Sequence, residues 1–244
     1  SHWIAIEWKV VSVAAELQAQ HPKLQIEIVG FSSPGDRDLG TPLTAVAADD
    51  FFSADIDTAL LAGEVDACVH SWKDITGTRP DGLVQAATPR RAAPHDVVLF
   101  RHDIAARLDA GAALRIGTCS LRRRLNVADF LATALPASKS REQISFIDMR
   151  GAVDARVQRI TAAAGEDQLD GIVLALAGLQ RLYADADGRA ALAPALAQAR
   201  WMVLPLGACP AAPGQGALTI ESRADDTRTR ALLAQIDDAE TSSL

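Results

Sequence analysis

The stretch His70-Ser71-Trp72-Lys73-Asp74 follows directly on the apolar run Ala67-Cys68-Val69 and sets a cation beside a carboxylate. A short apolar run that turns polar at once reads as a buried strand delivering charged groups to the mouth of a sheet. In open α/β sheets that mouth is where ligands bind. Taken alone, Lys73 and Asp74 suit an ordinary surface ion pair more often than a site. The surroundings turn the reading toward an α/β chain of two lobes, with arginines of the later half expected to face this carboxylate across a cleft.

Upstream of the stretch, Ile4, Trp8, Val11, Ala15 and Leu17 recur at helical spacing, which predicts an amphipathic helix over 4–18. Residues 24–29 alternate like a strand, 30–40 form a Gly/Pro-containing loop, and 54–64 read as a second helix. Downstream, 83–87 is a strand. Thr88-Pro89-Arg90-Arg91-Ala92-Ala93-Pro94-His95 then carries two prolines that resist helix, as a crossing between lobes should.

A second lobe is expected to open with strand 96–100, a helix to about 109 and strand 114–116. Gly117-Thr118-Cys119-Ser120-Leu121-Arg122-Arg123-Arg124 follows. A small-residue turn entering a helix leaves N–H groups that favour an anion, and it also suits a serine cap with a solvated basic turn. After an excursion over 131–143, strand 144–147 delivers Asp148-Met149-Arg150-Gly151, and helix 152–163 carries Arg156 and Arg159. Strand 171–176 ends at Ala177-Gly178-Leu179-Gln180-Arg181. Three strand ends thus each present an arginine (Arg122/Arg123, Arg150, Arg181), which describes a carboxylate-binding rim.

The chain is expected to return with strand 201–206. The Pro/Gly-rich connector Cys209 to Gly216 suits a second hinge crossing, followed by strand 217–221 and helix 226–236. The expected division is lobe 1 over 1–89 plus 201–235, lobe 2 over 95–195, and a polar tail over 236–244.

Bulk properties limit the function classes. No apolar run approaches the length of a membrane span, and no signal peptide is apparent at Ser1-His2-Trp3. A net charge of −7 argues against general nucleic-acid binding. Cys68, Cys119 and Cys209 are widely separated and outside any metal-ligand spacing, so free thiols in a reducing cytoplasm are expected and a metal is not. Twenty of the 24 Lys+Arg are arginine, a bias shared with abundant alanine, and arginine pairs carboxylates two-pronged. A nucleotide-binding fold lacks support, since neither a Gly-x-Gly-x-x-Gly nor a Walker segment is present.

Five segments in order carry a resemblance to the hydroxymethylbilane synthase family, also called porphobilinogen deaminase. They are His70-Ser71-Trp72-Lys73-Asp74, Gly117 to Arg123, Arg150-Gly151 with Ala155-Arg156, Ala177 to Arg181, and Pro213-Gly214-Gln215-Gly216-Ala217. The resemblance covers about residues 1–235. It implies two α/β lobes similar to the type II periplasmic-binding-protein fold, with two hinge crossings. It also implies stepwise condensation of porphobilinogen into a linear tetrapyrrole with release of ammonia, in the cytoplasm, by a monomer. On it, Asp74 matches the catalytic aspartate. Lys73, Ser71, Thr118, Ser120, Arg122, Arg123, Arg150, Arg156, Arg181 and Gln215 match groups that bind substrate or cofactor.

The family's cofactor is a dipyrromethane, bound covalently to a cysteine of a third domain. The 244 residues are expected to stop before that domain, and none of the three cysteines matches the anchor. Ala47-Ala48-Asp49-Asp50-Phe51-Phe52 stands where the resemblance calls for a glycine/lysine segment, and Cys119 stands in place of a serine. These departures keep a second reading open: a non-catalytic two-lobed relative that binds an anionic small molecule or a protein partner.

Overall fold

The computed structural model describes residues 4–31, 54–75, 78–135, 143–161 and 168–243. The chain divides into two compact units, 1–94 with 213–244 and 95–212, so the backbone crosses twice between them. This is the two-unit α/β architecture expected from the sequence.

In the first unit, helix α1 (Ile4–Gln20) precedes α2 (Ala54–Ala62) and strand β1 (Ala67–Ser71). A 3-10 turn, Trp72–Asp74, follows β1 directly, and β2 (Leu83–Ala87) comes next. The sheet is completed by β8 (Leu218–Arg223), which lies between β1 and β2 and is antiparallel to both. Residues of α1, β2 and β8 bury Val13, Leu17, Ala87, Leu218 and Ile220 together with Leu233 and Ile236. Helix α8 (Thr227–Leu233) starts on Asp226, whose carboxylate accepts from the Thr229 N–H at 2.9 Å.

The second unit holds a mixed five-stranded sheet, β3 (Asp96–Phe100), β4 (Leu114–Gly117), β5 (Ile144–Ile147), β6 (Gly171–Ala175) and β7 (Arg200–Val203), in the order β5-β4-β6-β3-β7. Helices α3 (Ile104–Asp109), α4 (Leu121–Ala134), α5 (Val153–Gln158), α6 (Leu176–Ala184) and α7 (Ala186–Gln198) complete it. Strands β4, β5 and β6 run parallel, whereas β3 runs antiparallel to β6 and β7. All of β3 is buried, and its core includes Val98, Phe100, Leu114, Ile116, Leu131 and Val173.

Several expectations need correction. Residues 24–30 join no ladder among the described residues. Leu24 and Ile26 pack on the core, but Ile28 and Val29 are 40% and 51% exposed, so the alternation marks a half-covered segment. The return to the first unit comes at Pro213 and not near Trp201, because Arg200–Val203 pairs with β3. Helix 152–163 shrinks to Val153–Gln158. The tail is no free polar end: α9 (Ala239–Ser242) buries Thr241, and Asp237 accepts from the Thr88 N–H at 2.6 Å. Of the excursion over 131–143, the first residues continue α4 and 136–142 lie outside the described residues, as do residues 32–53 with Asp49 and Asp50.

Candidate functional site

Because β4, β5 and β6 are parallel, their C-terminal ends share one edge of the second unit's sheet. From that edge come Thr118 to Arg123, Asp148 to Arg150, and the start of α6. Strand β3 runs the other way, so its first residue, Asp96, lies opposite Ala175 at the same edge. Sequence reading passed over Asp96, which carries no motif and opens an otherwise apolar strand.

Asp96 is 1% exposed and organises the arginines beside it. Arg123 grips its Oδ1 from Nε at 3.1 Å and Nη2 at 2.9 Å, and Arg122 Nη1 lies 2.8 Å from Oδ2. Burial pushes the Asp96 carboxyl up, but the two guanidinium groups outweigh it and hold it below the usual range. Arg123 also donates to the Val173 carbonyl at 3.3 Å, and Arg122 to the Pro210 carbonyl at 2.6 Å. Arg123 therefore turns inward. This differs from its expected role toward a ligand, because its fork is already spent on a carboxylate of the chain.

The turn into α4 is built as a cap. Ser120 Oγ accepts from the Arg123 N–H at 3.4 Å, and Thr118 Oγ1 accepts from the Ser120 N–H at 3.2 Å. Arg124 donates to the Thr118 carbonyl and to Asp148.

Arg156, on α5, is half-buried, and its Nε donates to the Gly151 carbonyl at 2.6 Å. No carboxylate among the described residues pairs with it. Burial lowers its pKa; the nearby Cys119 thiol opposes the shift and the charge of Arg123 adds to it. A half-buried cation repelled by a second cation is a place for an external anion. Arg150 is half-buried just after β5. Arg181 sits in the last turn of α6 and not at a strand end, since α6 starts directly after β6; burial lowers its pKa too.

In the first unit, Ser71 ends β1, and Trp72, Lys73 and Asp74 form the 3-10 turn. Asp74 is exposed, and its side chain takes no hydrogen bond or ion pair among the described residues. Gln215 is 1% exposed and donates to the Pro94 carbonyl at 2.6 Å, while its own carbonyl accepts from Arg91 Nε. It braces the crossing segments from inside, where an amide facing a ligand was expected.

Asp57, His70 and Glu221 gather buried ligand atoms within 4.8 Å of one another, a spacing that could hold a metal ion. Arg79 fills that space, with Nε 2.8 Å from Glu221 Oε1 and Nη2 2.7 Å from Oε2. Motif reading missed this cluster, whose members are distant in sequence. Among the described residues no helix is long and apolar enough to cross a membrane.

The family model "Porphobilinogen deaminase, dipyromethane cofactor binding domain" matches residues 5–231. The porphobilinogen deaminase of Syntrophus aciditrophicus is 35% identical over 230 residues, 94% of this chain and 66% of the relative. That of Roseiflexus sp. is 35% identical over 223 residues, 91% of this chain and 64% of the relative. That of Nitratidesulfovibrio vulgaris is 36% identical over 228 residues, 93% and 63%. The chain thus spans about two thirds of the length of these curated relatives. Among solved structures, the regulatory domain of OxyR2 from Vibrio vulnificus aligns at 12% identity and a TM-score of 0.46, covering 93% of this chain and 89% of that one.

Proposed function

The chain belongs to the porphobilinogen deaminase family, and from that premise we propose that it binds a polyanionic pyrrole and takes part in the condensation of porphobilinogen into a linear tetrapyrrole. The observation that carries this reading is the uneven pairing of the arginines in the second unit. Asp96 pairs with both Arg123 and Arg122, whereas the half-buried Arg156 has no carboxylate partner among the described residues. Porphobilinogen carries an acetate and a propionate, and a carboxylate entering beside Arg156 would restore the charge balance that burial has upset.

The same argument covers the family's dipyrromethane, whose rings bear the same acids, so the residues present fit that group. Arg156, Arg150 and Arg181 would hold its carboxylates or those of the substrate, with Arg122 held beside them by Asp96 and Thr118 and Ser120 shaping the turn. Lys73 offers a further point charge, and Ser71 a hydroxyl. Arg123 and Gln215 act as braces. When bound, the dipyrromethane supplies the free pyrrole α-carbon from which the chain grows.

Asp74 is the carboxylate proposed for the reaction. When the aminomethyl C–N bond of porphobilinogen breaks, the pyrrole nitrogen supplies the electron pair and ammonia leaves, so positive charge appears on the ring. An aspartate with no partner among the described residues can meet that charge and accept from the pyrrole N–H. A pyrrole α-carbon would then bond to the exocyclic methylene, and loss of its proton to solvent returns the C–H electron pair to the ring and restores aromaticity.

Titration with porphobilinogen, followed by an ammonia assay, tests this reading. In a full-length active parent, Arg156→Leu should weaken binding at least tenfold, and Asp74→Asn should bind normally while releasing no ammonia. Unchanged affinity in the first variant removes Arg156 from the site, and normal release in the second removes Asp74 from the chemistry. Binding without turnover in that full-length parent would favour a non-catalytic binder of anionic pyrroles.

A further inference from the structure

We propose that Glu221, through His70 and Arg79, sets the conformation of the turn that carries Asp74, and so acts as a positioning residue; the consequence for turnover rests on the reading of Asp74 given above. The geometry is a clip. His70, at the end of β1, places Nε2 3.2 Å from Glu221 Oε2. Arg79, on the far side of the turn, returns to the same carboxylate through Nε and Nη2. His70 just before the turn and Arg79 beyond it thereby meet one side chain of the middle strand. Arg79 Nη2 also reaches Asp57 Oδ1 on α2, so the clip is anchored in two elements.

Between those ends the turn has little apolar burial to order it. Its 3-10 residues include no buried side chain. Fixing a residue's backbone costs about 1–2 kcal/mol, so a short polar turn needs its ends held. Two backbone bonds help, from the Trp72 N–H to the Ala217 carbonyl and from the Ile75 N–H to the Trp72 carbonyl, both 3.1 Å. Gly214, at φ +66°, lets the backbone pass close to Trp72; a Cβ there would lie 3.1 Å from Trp72 Cβ.

The clip itself is dry and charged. Glu221, Asp57 and His70 are 3%, 4% and 8% exposed, and a buried, charge-assisted fork of this kind is both strong and directional. Asp74 stays outside it. The network can therefore order the turn without consuming the carboxylate the turn presents, which is what preorganisation of a reacting group requires.

Hydrogen exchange of the full chain tests the clip directly. In Glu221→Gln and Arg79→Met, exchange across residues 71–75 should rise about tenfold more than it does in the rest of β2 and β8. Arg79→Lys, which keeps the charge and loses the fork, should fall between them and the unaltered chain, and it keeps the test alive should Glu221→Gln fail to fold. A rise across 71–75 no larger than that in the rest of the unit, or no rise at all, overturns the positioning role. Where porphobilinogen turnover is measured, kcat should fall with KM unchanged in these variants. Local loosening with an unaltered kcat also overturns the role, whereas an unaltered chain without turnover counts against Asp74 and leaves exchange to judge the clip.

Discussion

Cys68 faces Glu221 directly in the β1–β8 register, with Asp57 close by. Burial first, then the two carboxylates, push its thiol up to about 12, and Arg79 only partly opposes them. At pH 8 roughly one Cys68 in ten thousand would be thiolate, the reactive form. Cys209 is likewise raised by burial, with Asp96 adding to the effect. Cys119 is half-buried at the turn into α4. Native labelling with a disulfide reagent at pH 8 should therefore modify Cys119 first, and all three thiols only after denaturation. Rapid modification of Cys68, located by peptide mapping, would show that β1 and β8 do not hold the charges where the register puts them.

Among the elements, the join between α4 and β3 is the most exacting, because two arginines of one helix close on a single carboxylate of the strand. Asp96→Asn leaves the shape but removes the charge that Arg122 and Arg123 share. Breaking one partner of a buried pair costs about 3–5 kcal/mol, and the low end applies here because Arg122 is 25% exposed. A loss of about 3 kcal/mol in urea unfolding is expected, and a smaller one for Arg122→Gln. This join also shows where the sequence stopped being legible. Helix α4 and strand β3 were both readable from periodicity and turn residues. Their meeting was not, since Asp96 lies 27 residues before Arg123 and the antiparallel course of β3 that brings them together leaves no local mark. The same limit explains Gln215 and the misread strand over 24–29. Composition and alternation report half-burial, while ladder partners and internal hydrogen bonds are settled by residues far along the chain.

For the molecule as a whole, each unit carries its own core and its own buried ion cluster, Glu221 in one and Asp96 in the other. Both clusters should register in acid. Burial pushes Glu221 up, but the contacts from His70 and Arg79 outweigh it and leave the pKa at about 2, against an ordinary value of 4.5. The unfolded chain then binds a proton more readily than the folded one. The resulting stability is fully present above about pH 4.5 and is lost as the pH falls toward 2, a span worth on the order of 3 kcal/mol. The direction for Asp96 is the same. Tryptophan placement allows the two units to be followed separately, because Trp201 alone of the four tryptophans lies in the second unit. Variants that keep only Trp72 or only Trp201 should each show a urea midpoint that these groups leave unchanged from pH 7 to 5 and lower below about 4.5 for Trp72 and below about 3.8 for Trp201. Adding Glu221→Gln should flatten the acid slope reported by Trp72 and leave that reported by Trp201 unaltered. If the Trp72 slope survives that substitution, the acid sensitivity of the first unit has another source, and Glu221 does not hold the charge that the clip around Asp74 depends on.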